Sequence, residues 1–560
     1  MNRSLLAASV FAAFGMAADI QPAFAQAAGD PVRPLVILTQ PQAASPQEFA
    51  TAELIAAAWK QLGLQVSLRP LPGQQWSSTV WNERQRWDMT TWQMVGRPER
   101  SDPDELTYNL FVSANAATGF GFVGYQNPEY DALAQAQREE LDPVKRQVLV
   151  KQAQELINRD QPYAFTVHPK LMYALNKSVW DEKTAVVQSG LGIRNFWTWI
   201  GLTPLGAQKD IVLNSVAPSQ VLNPFYIPGA QGSWVTELMW DRLMRVGPDG
   251  LPKPWAAESV TRPTPTTVDV VLREGIKWHD GSPVTIEDAV FSLEAPNFGN
   301  KAPMYKPFVV NIEKVETTGP RSLRITLKRP DAAFLVSTLS KLNLAPKKVW
   351  GPIFEEIANK PENIESRMET KILGSGPYKF VSAKLAEEIV LEANPDHWSA
   401  PKAGRWILRI VPNIEASLGA LRRGEVNFLA DYTGDPDLLR STVKANPNLM
   451  LSESLDIGFR FIAMNLRRPP FDNAKFRVAL STLVDRETIA ADAWGGQAVP
   501  ANSWVSPALS FWHADGIVGR VPGGGTIETA KKLLAEAGFV LVNGRLHYPA
   551  GVKETTTPFQ

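Results

Sequence analysis

The chain has no cysteine among its 560 residues and only five histidines. Without thiols it can form no disulfide, no thiolate nucleophile, no Cys-ligated zinc site and no iron–sulfur cluster. The histidines also lack the spacing that places two imidazoles on one helical face; they lie at positions 168, 279, 397, 513 and 547. We therefore expect no cofactor and no metal site.

The chain also lacks an excess of either charge, because Lys+Arg and Asp+Glu both number 57. A nucleic-acid-binding protein needs basic residues to neutralise the phosphate backbone. We therefore expect no nucleic-acid partner. Hydrophobic residues make up 44% and charged residues 20% of the chain, as in ordinary globular domains. The length allows about three or four domain-sized bodies.

Long apolar runs are absent apart from one near the start. Arg3 precedes the apolar stretch Leu5–Ala18, and Ala23–Ala25 has the small-x-small pattern of a cleavage site. The stretch is shorter than the about 20 apolar residues that a membrane span needs. We therefore predict a signal peptide over residues 1–25 and a periplasmic mature protein that begins near Gln26. Without cysteine that protein cannot be lipid-anchored at its start.

Hydrophobic periodicity predicts a mixed α/β chain of several lobes. A β-α-β unit is expected over residues 34–71, with a helix from about Pro46 to Leu62 that Gly63 ends. Beyond a connector at residues 200–210, short β-like runs broken by proline and glycine dominate. Further helices are expected at residues 128–138, 143–159, 413–423, 474–493 and 526–537.

Several strings in the second half resemble, in order, the motifs of the family 5 extracellular solute-binding proteins, the dipeptide, oligopeptide and nickel receptors of ABC importers. The strings are Leu272–Gly281 with Thr285–Val290, Gly374–Phe380, Asn394–Trp398, Arg422–Val426, Pro470–Asn473 with Arg477–Leu480, Val484–Glu487 and Ala530–Phe539. The resemblance implies a two-lobed periplasmic binding protein fold with an additional third domain and a ligand cleft between the lobes. It implies a monomeric receptor, not an enzyme, that serves an inner-membrane ABC permease.

The first half carries the elements that the family places after the Ala530–Phe539 motif. They are the β-α-β unit of 34–71, Asp88–Trp92, Asp102-Pro103, Asn127–Asp131, the helix 143–159 and Trp197–Trp199. We therefore expect a circularly permuted receptor. The expected order is a signal peptide (1–25), part of the ligand-binding lobe (26–175), a first lobe with a connector at 200–213 (176–250), an additional domain (251–370), the first lobe again (371–464) and the rest of the ligand-binding lobe (465–560).

Two motifs invite a catalytic interpretation, but a structural one is favoured for both. His279-Asp280 has the residue types of a base and its orienter, yet Asp280-Gly281 is a turn signal after an aromatic residue. Gly374–Tyr378 lacks the Gly-Lys-Ser/Thr ending and the following helix of a phosphate loop. Both strings are expected to shape the backbone.

Ligand binding accounts better for the aromatic content. The resemblance places Trp76 and Trp92 where family receptors line the pocket with aromatic rings, which offer apolar contact and a π-face. It assigns Phe461 to the junction between the lobes. It assigns Asn223, Tyr226 and Gln231 to the loop after the first strand of the family fold. The alternative is that the tryptophans only fill a core beneath the β-α-β unit.

The segment after Trp92 departs from the peptide-binding pattern. Peptide-binding members carry an Asp a few residues after the pocket tryptophan, whereas residues 93–101 contain two arginines and no aspartate. Glu99 is a candidate substitute. Arg97 would favour a carboxylate or a hydroxylated ligand, or is a solvated loop cation.

Three functions remain open from the sequence. A receptor for a short peptide or another polar organic compound would bind one ligand per chain without turnover. An exported carboxylate-dependent hydrolase would release a product. A periplasmic chaperone-like protein would bind unfolded chains weakly and broadly.

Overall fold

The computed structural model describes residues 28–558 except residues 118, 216–222, 227–228, 368–371, 385, 412 and 517–524. The expected signal peptide lies outside the described residues. Within the described ranges, no helix combines the length and the apolar composition needed to cross a bilayer.

The helices alternate with short strands along most of the chain. The α-helices are Pro46–Lys60, Gly73–Asn82, Asp104–Phe111, Pro128–Glu139, Pro143–Asp160, Phe196–Gly201, Ala230–Met239, Ile286–Glu294, Lys306–Val309, Lys347–Ile357, Ile414–Arg423, Pro436–Ala445, Ala474–Thr482, Arg486–Thr488 and Ile527–Glu536. The expected single helix over 474–493 is wrong. Asp485 starts a new helix there, because its side chain accepts a hydrogen bond from the Thr488 backbone N–H.

Both ends of the described chain build one lobe, here named the terminal lobe (residues 28–165 and 459–558). Its central sheet has the strand order Val66–Pro70, Leu35–Thr39, Met89–Met94, Phe459–Met464 and Tyr163–Phe165. The first two strands are parallel and flank the helix Pro46–Lys60, which confirms the expected β-α-β unit. Gly63 follows this helix with a φ of 79°, a left-handed conformation that favours glycine.

One hydrophobic core joins the two ends. Trp59 from the first helix packs in the same cluster as Phe476 and Leu534, and its indole N–H donates to the Leu480 carbonyl at 2.8 Å. A small sheet adds a second connection, because the strand Ala28–Pro31 pairs with Arg545–Pro549. The N- and C-terminal segments therefore depend on each other for burial.

The middle of the chain forms a second body, here named the central lobe (residues 167–455). Its large sheet has the order Tyr378–Lys384, Glu388–Ala393, Arg405–Ile410, Ile211–Ser215, Phe428–Leu429, Val167–Asn176 and Leu449–Leu455, with Ala498–Pro500 paired to Val167–Asn176. A separate antiparallel sheet consists of Ala257–Thr264, Thr267–Leu272, Ser322–Leu327 and Ile312–Gly319. The hairpin Met244–Val246 with Pro252–Pro254 leads into this second sheet.

The chain passes between the two lobes at Thr166 and again at residues 456–458. The two passages are hydrogen-bonded to each other, because the Thr166 N–H donates to the Arg460 carbonyl at 2.9 Å and the Asp456 N–H donates to the Pro169 carbonyl at 2.8 Å. These passages precede the expected boundaries at residues 175 and 464. Paired strands that connect two lobes are a geometry suited to hinge motion.

The His279 motif has the structural role expected for it. The His279 Nε2 atom lies 3.0 Å from the Gly376 carbonyl oxygen, while Asp280 pairs with Lys348 at 2.7 Å. A Cβ atom at Gly374 would lie 2.1 Å from the Met239 carbonyl oxygen, so this position requires glycine. The two motifs thus pack against each other, and neither forms a base with its orienter or a phosphate loop.

Candidate functional site

A cleft of about 1280 Å³ separates the two lobes. The terminal lobe contributes residues of the first helices, the strand Met89–Met94 and the segment up to Phe120, while the central lobe contributes residues 169–173 and several loops. The volume is large enough for a small organic molecule or a short oligomer. Because both lobes line it, a ligand there would contact both sides of the hinge.

Trp76 and Trp92, which the sequence assigned to the pocket, are both among the residues that line the cleft. Their ring centroids are 4.2 Å apart with the planes tilted by 38°, and the Trp76 indole N–H donates to Thr90 Oγ1 at 2.9 Å. The exposed fractions are only 7% and 6%. Both tryptophans also belong to the hydrophobic core, so they lie at the boundary between the core and the cleft.

Trp81 is a cleft residue that the sequence did not single out. It is half-buried, lines the cleft and makes edge contacts with Trp92 at 5.7 Å and with Phe120 at 5.8 Å between centroids. Trp81 packs at the edge of the hydrophobic core, where its ring also lies 4.9 Å from that of Phe122, and the Arg84 guanidinium carbon lies 5.9 Å from the centre of the indole. The signal available in the sequence was its spacing from Gln74 and Ser78, which puts the three on one face.

Tyr226 and Gln231 line the opposite wall, on the central lobe. The Gln231 amide N–H donates to an Asp431 carboxylate oxygen at 3.0 Å. Burial and the nearby Glu365 carboxyl raise the pKa of the Tyr226 hydroxyl, so it stays neutral and keeps its proton to donate. Both side chains, which the resemblance assigned to this loop, therefore lie at the cleft.

Arg97 lines the cleft, whereas Glu99 does not. Glu99 is buried and pairs with Arg242 of the central lobe. Burial alone would raise the Glu99 pKa, but attraction to Arg242 and Lys341 lowers it. As a consequence Glu99 is a charged partner for Arg242 and is not positioned to replace the aspartate of peptide-binding receptors.

Phe461 and Asn223 also lie outside the cleft lining. Phe461 stacks on Tyr163 with the centroids 4.3 Å apart and is buried in the terminal-lobe core. Asn223 is fully buried, and its amide donates to the carbonyls of Ile364 at 2.8 Å and Arg367 at 3.0 Å. These two side chains hold the structure around the cleft without facing it.

Acidic side chains in the cleft are engaged by protein groups. Glu48 pairs with Arg460 at 2.9 Å, and burial raises the pKa of the Glu48 carboxyl to about 7 despite this partner. Asp456 accepts from the Gly458 N–H at 2.8 Å within the hinge passage. Across the part of the chain that the structure describes, no group of acidic or histidine side chains is arranged to hold a metal ion.

Glu365 is expected to make the stability of the protein depend on pH. Burial raises the pKa of this cleft carboxyl to about 7, although a hydrogen bond from the Met304 N–H to Oε1 at 2.7 Å opposes the shift. A carboxyl whose pKa is raised in the folded state makes the protein less stable as pH rises. The decline falls between the ordinary pKa of 4.5 and the raised pKa of about 7. Glu365→Gln should remove this decline and raise the free energy of unfolding at about pH 8 by roughly 1–3 kcal/mol.

Urea unfolding across this pH range measures the effect, and the exposed Glu129→Gln variant is the control. Glutamine keeps an oxygen that can accept from Met304, so the two Glu365 forms should agree near the acid end of the range. An unchanged pH profile in Glu365→Gln would show that Glu365 is not the group responsible.

Comparison with known proteins gives a consistent result. The family model described as bacterial extracellular solute-binding proteins, family 5 middle, matches residues 252–559. The chain is 28% identical over 341 residues to the oligopeptide-binding protein AppA of Bacillus subtilis, which covers 60% of each chain. It is 29% identical over 287 residues to the heme-binding protein A of Haemophilus influenzae, covering 48% of this chain and 50% of the relative.

A third relative is the glutathione-binding protein GsiB of Shigella boydii, 26% identical over 369 residues, with 63% of this chain and 66% of the relative covered. The chain thus spans about half to two thirds of the length of these curated relatives. The solved structure of Bacillus subtilis AppA with a nonapeptide aligns with a TM-score of 0.50 at 24% identity, covering 62% of this chain and 67% of that one. This likeness supports the two-lobed fold described above.

Proposed function

Because the chain belongs to the bacterial extracellular solute-binding proteins of family 5, we propose that it captures a small solute in the interlobe cleft and delivers it to the permease of an ABC transporter. The observation that carries this proposal is the cleft of about 1280 Å³ lined by both lobes. A receptor of this kind binds one solute per chain and does not convert it. We also propose that it acts as a monomer in the periplasm after loss of residues 1–25.

The two passages at Thr166 and residues 456–458 supply the motion that delivery requires. A solute held by Trp92 on one lobe and Tyr226 on the other would favour the closed arrangement, since only that arrangement offers both contacts. The permease then has a structural difference by which to distinguish loaded from empty receptor. A binding site between the lobes thus couples solute binding to lobe closure, whereas a site within one lobe would not.

Trp92 provides a direct test of the cleft. Trp92→Ala should weaken binding of the small molecule that co-purifies with the exported protein by at least about 1 kcal/mol, the scale of a lost aromatic contact. Ligand addition should also change the intrinsic tryptophan fluorescence of the unaltered protein. Calorimetric titration gives the affinity of both forms.

The matched control is Trp398→Ala. Trp398 is a half-buried tryptophan that packs on His397 in the central lobe, away from the cleft lining. This control should keep the full affinity. A folded Trp92→Ala variant with undiminished affinity would contradict the assignment of the cleft as the binding site.

We propose in addition that the chain is a circular permutation of the family order. Support comes from the terminal lobe, where the strand Leu35–Thr39 and the strand Phe459–Met464 share one sheet, while the family model covers residues 252–559 only. In the unpermuted order both chain ends would lie at the connector near residues 206–209, which is exposed. Exposed loops accept new chain ends most readily.

A rearranged gene tests the permutation. It starts near Asp210, runs to Gln560, continues through a short linker into Val32 and ends near Gly206. The product should unfold cooperatively and bind the same solute with similar affinity, since it keeps both large sheets and the hydrophobic core and loses only the short strand Ala28–Pro31 at the edge of the small sheet. The control is the fragment from Asp210 to Gln560 alone, which lacks four strands of the terminal-lobe sheet and should not fold. A rearranged protein that fails to fold would defeat the proposal.

A further inference from the structure

Amide side chains surround the cleft. Ten glutamine and asparagine residues line it, namely Gln40, Gln47, Gln74, Asn82, Gln85, Gln93, Gln231, Asn300, Asn363 and Gln497. Each amide offers donors and an acceptor at once. That combination matches a ligand whose own groups both donate and accept, such as a row of hydroxyls.

Several of these amides are available to a ligand. Gln47 donates to the Thr433 carbonyl and Gln231 to Asp431, but within the described ranges the side chains of Gln74, Gln85 and Gln93 have no hydrogen bond to another protein group. A solute that supplies these bonds gains them without first breaking protein contacts.

Several charged side chains of the cleft, in contrast, already have protein partners. The Arg100 guanidinium pairs with Glu105 at 2.9 Å, and Arg460 pairs with Glu48. The Arg84 guanidinium donates hydrogen bonds to carbonyl oxygens, among them that of Gly119 at 2.6 Å. An α-ammonium group of a peptide that paired with the Glu48 carboxylate would therefore have to displace Arg460, which costs a buried interaction.

The indole ring of Trp81 lines the same cleft as these glutamines. The helix Gly73–Asn82 presents Gln74, Ser78 and Trp81 on one face of the cleft wall, and Gln74 and Trp81 are about 10 Å apart along its axis. The C–H face of a sugar ring packs on an indole while its hydroxyls project sideways. Gln74 and Ser78 precede Trp81 by seven and three residues on this helix face, so they are the polar groups that a ring stacked on Trp81 would meet.

We propose that the solute is a polyhydroxylated, carbohydrate-like compound that stacks on Trp81 and is hydrogen-bonded by the amides of Gln74, Gln85 and Gln93. This rests on the proposed receptor function and specifies the ligand class for it. Trp92, which is nearly buried, makes an edge contact with the Trp81 ring, and Trp76 packs on Trp92. A peptide is the competing class and becomes an outcome of the test.

The experiment measures the melting temperature of the purified full-length mature protein with two sets of compounds. One set contains di- to hexasaccharides of common hexoses and pentoses, both neutral and acidic, and the other contains di- to hexapeptides. Any saccharide that raises the melting temperature is titrated calorimetrically against Trp81→Ala, Trp81→Phe, Gln74→Ala and the control Gln152→Ala. Gln152 is an exposed glutamine outside the cleft.

The expected result is stabilisation by saccharides and not by peptides. Trp81→Ala should lower the affinity at least about tenfold, Trp81→Phe should restore part of it, and Gln152→Ala should change nothing. Unliganded melting curves establish that each variant is folded. Should Trp81→Ala not fold, Gln74→Ala still tests the site, with an expected severalfold loss of affinity.

Three results would overturn the proposal, the first two through the ligand class and the third through the site. Stabilisation by peptides alone would do so while leaving the receptor function intact. Stabilisation by neither set would also do so, and the receptor function would then be judged by the co-purifying molecule. Saccharide affinity that survives both Trp81→Ala and Gln74→Ala would remove this wall as the site.

Discussion

Glu105→Gln is expected to lower the free energy of unfolding by about 3–5 kcal/mol, the cost of breaking a buried ion pair from one side. Glu105 Oε1 accepts from Arg100 Nε at 2.9 Å, and Oε2 accepts from Lys341 Nζ at 2.8 Å. All three side chains are buried. A neutral glutamine would leave Arg100 and Lys341 without the carboxylate that bonds both of them, and Glu99 would remain as the nearby counter-charge of Lys341.

The same triad joins the two lobes, since Lys341 belongs to the central lobe and the other two residues to the terminal lobe. Urea unfolding followed by circular dichroism measures the loss. The control is Glu139→Gln, which removes the carboxylate of a surface pair with Arg329 and should change stability by less than about 1 kcal/mol. Equal effects of the two variants would show that the triad contributes no more than a surface pair.

The Glu105 carboxyl also sets a pH window. Burial alone would raise its pKa, but attraction to Lys341 and Arg100 lowers it to about 2. An acid with a lowered pKa contributes stability above its ordinary value of 4.5 and loses it as pH falls towards about 2. The difference between the unaltered protein and Glu105→Gln should therefore shrink below about pH 4.

Asp88→Ala is expected to have an effect of similar size, about 3–5 kcal/mol. Asp88 receives a bidentate pair from the Arg33 guanidinium, with both N···O distances at 2.7 Å, and both side chains are buried. Arg468 lies 3.3 Å from the same carboxylate. The alanine variant would leave Arg33 with carbonyl acceptors only.

This second cluster ties residue 33 to residue 468, from opposite ends of the chain. The control is Glu536→Gln in the same lobe, where the partner is Lys475 and both side chains are about half exposed. Thermal unfolding of both variants gives the comparison. A loss below about 1 kcal/mol in Asp88→Ala would mean that the joined ends of the terminal lobe do not depend on this ion pair.

Local signals in the sequence predicted local structure well. Asp142 and Pro143 predicted a helix start, and the Asp142 carboxylate indeed accepts from the N–H groups of Val144 and Lys145. The expected helix over 413–423 is likewise present as Ile414–Arg423. Such signals act within one helical turn, so a single sequence contains everything they need.

The cleft depends on partners that are distant in sequence. Glu99 pairs with Arg242, which is 143 residues away in the chain. Helix and strand periodicities relate only residues that are near in sequence, so they cannot predict such a contact. Trp81 and Trp92 look alike in the sequence, yet the first is half-buried at the cleft wall and the second nearly fully buried. Whether an aromatic side chain is buried in the core or exposed to a ligand depends on the tertiary contacts around it, which the local sequence does not specify.

Native mass spectrometry of the full-length protein, purified without denaturation from its own host, tests the central proposal most directly. A solute receptor should appear as the chain plus one small molecule of a single mass, and the adduct should be lost in folded Trp92→Ala. A bare chain that also shows no fluorescence change with host-cell small molecules would contradict the proposal. So would adducts of many unrelated masses, or an added compound that is chemically converted.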